Sequence, residues 1–375
     1  MPLQVVERAA TVFGLGARDA ADGGGQAPVV LNLDELLKAA LAAGASDIHV
    51  AVESAPVWRV DGVLQRQGQE AVSVVDTEAA LRDLATPEQL ERLRQHGEVD
   101  FSYSLSGVGR FRVAAFRQRG SVSLAIRPIP SVMPDAEALR VPAAAQALML
   151  REGGLVLVVG RAGSGKSTTL AALIDRINRE RAAHIITLED PVEYLHRHRR
   201  SLVNQREIGV DSAGFAPALR AAMRQNPDVV VLGELREAET ASLALVAAGT
   251  GHLVVAIVRQ PDCVAALEYL VGLFPFGQQA QVSWQLAAAL EGVVAQVLLP
   301  RRDGKGRVAA FEVLLATASV RTLVREGKRQ QLPTLMRAGV RHGMRTLDQS
   351  WRELAEQGVL SDNELPPFPV SGFGG

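Results

Sequence analysis

Apolar positions change their period along the chain, and each period predicts an element. Leu33, Leu36, Leu37 and Leu41 recur at helical spacing, which predicts an amphipathic helix near the start of the patterned region. Alternation follows in Ile48-His49-Val50-Ala51-Val52 and in Val57-Trp58-Arg59-Val60, the period of strands with one buried face, and Asp61-Gly62 predicts a hairpin turn after them. A second alternating pair, Phe111-Arg112-Val113 and Val122-Ser123-Leu124-Ala125-Ile126, is divided by Gln118-Arg119-Gly120. Residues 31–130 therefore predict a small α+β domain.

From about residue 151 the style differs. Short, continuously apolar runs such as Leu155-Val156-Leu157-Val158-Val159 and Val229-Val230-Val231-Leu232 are separated by helix-length segments. That is the pattern of a mostly parallel sheet with crossover helices, an α/β domain expected over residues 151–360. Pro128, Pro130, Pro134 and Pro142 cluster between the two styles and predict an interdomain linker over residues 131–150. Residues 1–30, closing on Gly23-Gly24-Gly25, predict a flexible extension, and residues 361–375, rich in Pro and Gly, a flexible tail.

Composition narrows the class. The chain has 375 residues, 47% hydrophobic but only 4% aromatic, so two packed domains are expected rather than one small one. Lys and Arg total 40 against 41 Asp and Glu, a net charge of 40 − 41 = −1, so any polyanion must be met locally. A single cysteine, Cys263, excludes an internal disulfide framework and a cysteine-built zinc site, and it reads as a small buried residue. No apolar run approaches the roughly 18 residues of a membrane span, and the first residues lack the positive-then-apolar order of a secretory signal.

The densest chemical signal is Gly160-Arg161-Ala162-Gly163-Ser164-Gly165-Lys166-Ser167, which fits G-x-x-x-x-G-K-[ST] between a buried strand and a helix. Glycines let backbone N–H groups turn inward around phosphates at a helix N-terminus, Lys166 reaches the β- and γ-phosphates, and the Ser167 hydroxyl meets Mg²⁺. Thr168 follows on the same turn. ATP and Mg²⁺ are the implied ligands. Glu234, two residues beyond the run Val229–Leu232, is placed to polarise the attacking water, since the C-terminal ends of parallel strands face the ligand crevice. Glu189, Asp190 and Glu193 follow another apolar run; they suit Mg²⁺ binding through water or nucleophile positioning, and equally a helix-capping or solvated role.

GRAGSGKST, ITLEDPVEY, LVNQREIG, NPDVVVLGELREAET and TGHLVV occur in this order, with ASDIHV, RVDG, GRFRVAAFRQRG and IRPIP before them and GMRTLDQ after. This string resembles the secretion-type ATPase superfamily and, within it, the type IV pilus retraction (twitching-motility, PilT-type) ATPases, over about residues 32–360. Extension and type II secretion motors of the superfamily usually carry a four-cysteine zinc insertion and longer N-terminal modules, for which this chain has neither the cysteines nor the length. Ser319–Glu326 resembles the AIRNLIRE motif of retraction motors, keeping Arg321, Leu323, Arg325 and Glu326; an ordinary amphipathic helix is the alternative.

The resemblance implies a ring hexamer of subunits, each with an N-terminal PAS-like domain and a RecA-like ATPase domain. It also implies a cytoplasmic protein, peripheral at the inner-membrane pilus base and contacting a platform protein there. Carried over by position, Gly160, Gly163, Ser164, Gly165, Lys166, Ser167 and Thr168 bind the nucleotide, Ser167 and Asp190 the metal, and Glu234, Glu189, Glu193 and His252 serve catalysis. Arg112 and Arg127, and with less support Arg119, match arginines expected to reach phosphate, with a solvated strand face as the alternative.

One departure stands out. The family's histidine box reads close to GHLVFGTLHT, whereas residues 251–260 read GHLVVAIVRQ, so Arg259 replaces the second histidine and Gln260 the threonine. Tyr269 and Ser283 also fall where the family commonly has arginines. A fixed charge at 259 would touch phosphate or pair with an acidic-box residue, so two functions are expected: an ATP-hydrolysing retraction motor, or a weakly hydrolysing paralogue sharing a mixed ring with a competent ATPase. A nucleic-acid translocase rests only on His196-Arg197-His198-Arg199-Arg200, and the low aromatic content and absent basic excess count against it.

Overall fold

A computed structural model describes residues 31–60, 62–130, 133–304 and 306–360. It divides into two compact units, Met1–Ser131 and Val132–Gly375. The expected extension (1–30) and tail (361–375) lie outside the described residues.

The N-terminal unit is built on a six-stranded sheet, with strands named in chain order β1 (Asp47–Val50), β2 (Val57–Val60), β3 (Val63–Arg66), β4 (Glu98–Leu105), β5 (Gly109–Gln118) and β6 (Ser121–Ile129). Their spatial order is β3-β2-β1-β6-β5-β4, every pairing antiparallel. The helix expected from Leu33, Leu36, Leu37 and Leu41 forms as α1 (Leu33–Ala42), capped by the Asn32 side chain. It buries Leu33, Leu36 and Leu37 in a core with Ile48, Phe111, Leu124 and Ile126. Helices α2 (Val74–Leu84) and α3 (Pro87–His96) each start with a reciprocal capping box, at Ser73 and Asp76 and at Thr86 and Gln89. The β2–β3 hairpin forms with Val60 opposite Val63 and Gly62 at φ 81°; Asp61 is outside the described residues.

In the C-terminal unit, β7 (Gly154–Val159), β8 (His184–Glu189), β9 (Leu202–Glu207), β10 (Val229–Leu232), β11 (Leu253–Val258), β12 (Leu290–Pro300) and β13 (Arg307–Leu315) form one sheet in the order β13-β12-β7-β11-β10-β8-β9. Only β12 with β13 is antiparallel. Alternate residues of the same strand serve opposite faces. Leu155, Leu157 and Val159 pack on one side with α6 (Phe215–Ala222), α7 (Ala238–Gly249), α8 (Cys263–Gly272) and α9 (Phe276–Ala289), while Val156 and Val158 pack on the other with α5 (Lys166–Glu180). Burial on both faces is why these strands read as unbroken apolar runs.

The expected linker is not free-standing. Ala136, Val141, Ala145, Leu148 and Met149 are buried in the core of the C-terminal unit, where α4 (Ala143–Leu148) packs against β12. The prolines marked a change of course, but the apolar residues between them supply a docking face that a linker would lack. The AIRNLIRE-like stretch forms α10 (Ala318–Arg325), and Arg321 is half-buried there, donating to the Ala287 and Ala288 carbonyls and to Glu291. The run 196–200 is pinned beside α5, with Arg199 paired to Asp175 and the Arg197 carbonyl bonded by Asn178. Cys263 is fully buried, as expected.

Candidate nucleotide site

The loop between β7 and α5 is shaped by glycines that nothing larger could replace. Gly163 and Gly165 have φ of 73° and 84°, the left-handed region where a side chain is strained. A Cβ on Gly160 would stand 2.3 Å from Ser164 Oγ and 2.7 Å from the Gln296 carbonyl oxygen, and one on Gly165 would stand 2.8 Å from Gln296 Nε2. Gln296 anchors the loop from β12: its amide donates 2.8 Å to the Ser164 carbonyl and accepts 2.6 Å from the Thr169 hydroxyl. The Ser164 hydroxyl is buried without a hydrogen-bond partner among the described residues.

The loop opens on a cavity of about 210 Å³. Gly163, Lys166 and Ser167 line it together with Glu189, Asp190, Glu193, Glu234 and Arg259. The sheet order explains the convergence: these residues lie at or just beyond the C-terminal ends of β7, β11, β10 and β8, four consecutive parallel strands. Lys166 donates 2.6 Å to the Arg161 carbonyl, and burial, followed by the nearby Arg259 charge, lowers its pKa. Two cations facing one glycine-shaped loop are a donor set that fits a polyphosphate.

The acidic side is equally organised. Glu189 accepts from the Thr187 hydroxyl at 2.6 Å and from Gln205 Nε2 at 3.0 Å, and burial pushes its carboxyl up. Gln205 also donates to the Tyr194 carbonyl and accepts from the His196 amide, so one side chain from β9 fixes both Glu189 and the segment after Asp190. Tyr194 in turn bonds Thr168 of α5 at 2.9 Å. Burial lowers His196 to about 4, leaving its ring neutral at pH 7. Among the described residues no group of three or more His, Cys, Asp or Glu side chains is arranged to hold a metal. A cation completed by phosphate oxygens needs only one or two protein ligands, a demand that Ser167 and Asp190 on the cavity wall fit.

One expectation needs correction, and another gains a partner that the sequence did not name. His252, expected at the catalytic centre, precedes β11 and so lies at the opposite end of that strand, about 20 Å of extended chain from the cavity end. Its Nδ1 faces the Ala247 carbonyl and the Thr250 hydroxyl instead. Arg259, expected to meet phosphate or an acidic-box residue, pairs with Glu234: Nε stands 3.0 Å from Oε1, and Nη2 donates 3.3 Å to Oε2. Arg112 and Arg127 face each other in register on β5 and β6, paired with Asp100 and Asp47 of their own unit. Arg119, at φ 50°, sits in the turn between those strands. Tyr269 donates 3.4 Å to the Arg236 carbonyl, and Ser283 accepts from Arg329.

Gln296 and Gln205 were missed from the sequence. For Gln296 a signal was available: it interrupts the apolar run Val293–Leu299, and a polar side chain buried in an interior strand must be bonded to something.

Comparison with known proteins now adds weight to the geometry. The family model described as type II/IV secretion system protein matches residues 22–366. This chain belongs to that family. It is a secretion ATPase in which a RecA-like domain follows a smaller N-terminal α+β domain along the chain. The type IV pilus retraction ATPase PilT of Pseudomonas aeruginosa is 38% identical over 88% of this chain and 96% of its own length. The type IV pilus ATPase PilU of the same organism is 37% identical, over 88% and 87%. The crystal structure of the pilus retraction motor PilT with bound ADP superposes with a TM-score of 0.84 at 41% identity, covering 90% of this chain and 98% of that one. PilT and PilU are thus about equally similar to this chain, and identity alone does not divide them. Among the described residues no helix is long and apolar enough to cross a membrane.

Proposed function

We propose that this chain is an ATP-hydrolysing motor that powers type IV pilus retraction as a hexameric ring at the cytoplasmic face of the inner membrane, docked on a platform protein. The observation that carries the reading is the convergence of Lys166 and Ser167 with Glu234, Glu189, Asp190 and Glu193 on one cavity. The loop amides and Lys166 hold the nucleotide phosphates, and Ser167 with Asp190 holds Mg²⁺, which supplies charge neutralisation on the phosphoryl oxygens when bound. Glu234 accepts a proton from the attacking water. Glu189, held by Thr187 and Gln205, and Glu193 position that water and the metal's shell. Arg112 and Arg127 are proposed to reach phosphate from the N-terminal unit, an assignment supported by family resemblance.

A second reading has its own support. The ion pair between Arg259 and Glu234 occupies the proton acceptor, which favours a weakly hydrolysing paralogue that shares a ring with a competent ATPase. Steady-state ATP hydrolysis separates the two. The motor reading expects turnover by the unmodified chain that Glu234→Gln abolishes. Turnover appearing only in Arg259→His would transfer the proposal to the accessory paralogue, and turnover indifferent to Glu234→Gln would sink the catalytic assignment.

A further inference from the structure

The register of the sheet decides where residue 259 must lie. β11 runs between β7, which carries the phosphate loop, and β10, which carries Glu234; Val258 pairs with Val159 and Ala256 with Leu232. The Gly160 amide donates to the Val258 carbonyl, tying the first residue of the loop to the end of β11. The residue after β11 is therefore interposed between the two parts of the site. Here that residue is an arginine, its side chain 60% exposed and extended into the cavity wall, holding a carboxylate that is only 14% exposed.

A guanidinium in this place has two kinds of partner. Its N–H fork matches a carboxylate and matches phosphoryl oxygens equally well in geometry. While it holds Glu234, it occupies carboxylate lone pairs that an attacking water would have to use. Its charge also opposes that of Lys166 in the same cavity, a repulsion that phosphoryl oxygens between the two would relieve.

Resting on the ATPase reading above, we propose that Arg259 is a two-position residue. It clamps Glu234, and it exchanges that carboxylate for the terminal phosphoryl oxygens of a bound nucleoside triphosphate, so that Glu234 becomes a free base only when there is a phosphoryl group to transfer. Arg259 would thereby make this chain discriminate triphosphate from diphosphate through a residue that the family's histidine could match only in part.

Binding, without turnover, tests this. The full chain is titrated with ADP and with a non-hydrolysable ATP analogue, alongside Arg259→Ala, Glu234→Ala and the double variant. The expected result is that Arg259→Ala lowers the preference for the analogue over ADP by about tenfold or more while ADP affinity holds. Glu234→Ala removes the competitor and should tighten the analogue several-fold, and that gain should vanish in the double variant; a merely electrostatic benefit of deleting a carboxylate would persist there. An unchanged preference in Arg259→Ala, or a Glu234→Ala gain that survives without Arg259, overturns the exchange. Equal loss of ADP and analogue would place Arg259 on the inner phosphates and overturn it as well. Failure of the unmodified chain to bind either nucleotide would count against the ATPase reading itself.

Discussion

Gln296 accepts a 2.6 Å hydrogen bond from the Thr169 hydroxyl across 127 positions of sequence, and through its other amide atom it holds the Ser164 carbonyl at 2.8 Å. The phosphate loop is thus fixed at its middle and at the first turn of α5 by one buried side chain from β12. Gln296→Leu keeps the volume and deletes both bonds, leaving a buried hydroxyl and carbonyl unsatisfied. The expected cost is about 2–4 kcal/mol of stability, with ADP affinity weakened roughly tenfold because the loop amides are no longer held in place. Denaturant unfolding and an ADP titration check it; an unchanged midpoint would mean water replaces the amide.

Lys166 stands at 8% exposure with its pKa lowered, first by burial and then by Arg259. The Glu193 and Glu234 carboxylates on the same cavity oppose that shift, and phosphoryl oxygens beside the ammonium would oppose it further. Lys166→Ala should leave the fold intact, since no buried partner other than the Arg161 carbonyl loses a bond. Nucleotide affinity should fall about 100-fold, the worth of charge-assisted contacts to phosphate in a partly desolvated site. Affinity equal to that of the unmodified chain would remove Lys166 from the phosphate site.

Local chemistry made much of this legible in the sequence. The phosphate loop announces itself because glycine takes φ of 73° and 84° without strain, and the two-sided burial of β7, β10 and β11 shows as unbroken apolar runs. Non-local pairings were not legible. Nothing near Arg259 in sequence points to Glu234, 25 positions away; the pairing follows from strand order, which single-residue patterns do not encode. His252 misled for the same reason: it shares a motif with Arg259, yet a strand's length separates them. The packing of the linker was hidden differently, because turn chemistry at Pro134 and Pro142 coexists with the burial of Ala136 and Val141.

Gln205 joins Glu189, the Tyr194 carbonyl and the His196 amide. Gln205→Ala should release the segment that carries Asp190 and Glu193 while leaving the phosphate loop untouched. Turnover is then expected to fall at least tenfold with ADP affinity nearly constant, and the His196 amide should exchange with solvent faster. Parallel loss of ADP binding would show that the loop and the acidic segment do not separate functionally.

Glu312, 7% exposed on β13, accepts from the Cys263 amide at 2.9 Å at the start of α8. Burial raises its carboxyl from the ordinary 4.5 to about 7, with the Cys263 amide opposing and Asp262 adding to the rise. Because the folded value exceeds the unfolded one, the protonated carboxyl favours the fold: its stabilisation is complete below about pH 4.5 and is lost as pH rises through about 7. That interval corresponds to about 3 kcal/mol. Glu312→Gln keeps an oxygen for the Cys263 amide and cannot ionise, so the stability of the unmodified chain should fall relative to this variant between pH 5.5 and 8, the rise that the buried neutral His196 gives up to about pH 6.5 being common to both. Hydrogen-exchange stability of the β12 and β13 amides at the two pH values gives the comparison, corrected for intrinsic exchange rates. Identical pH dependence in both proteins would mean that the Glu312 carboxyl is already ionised at pH 5.5 in the folded chain.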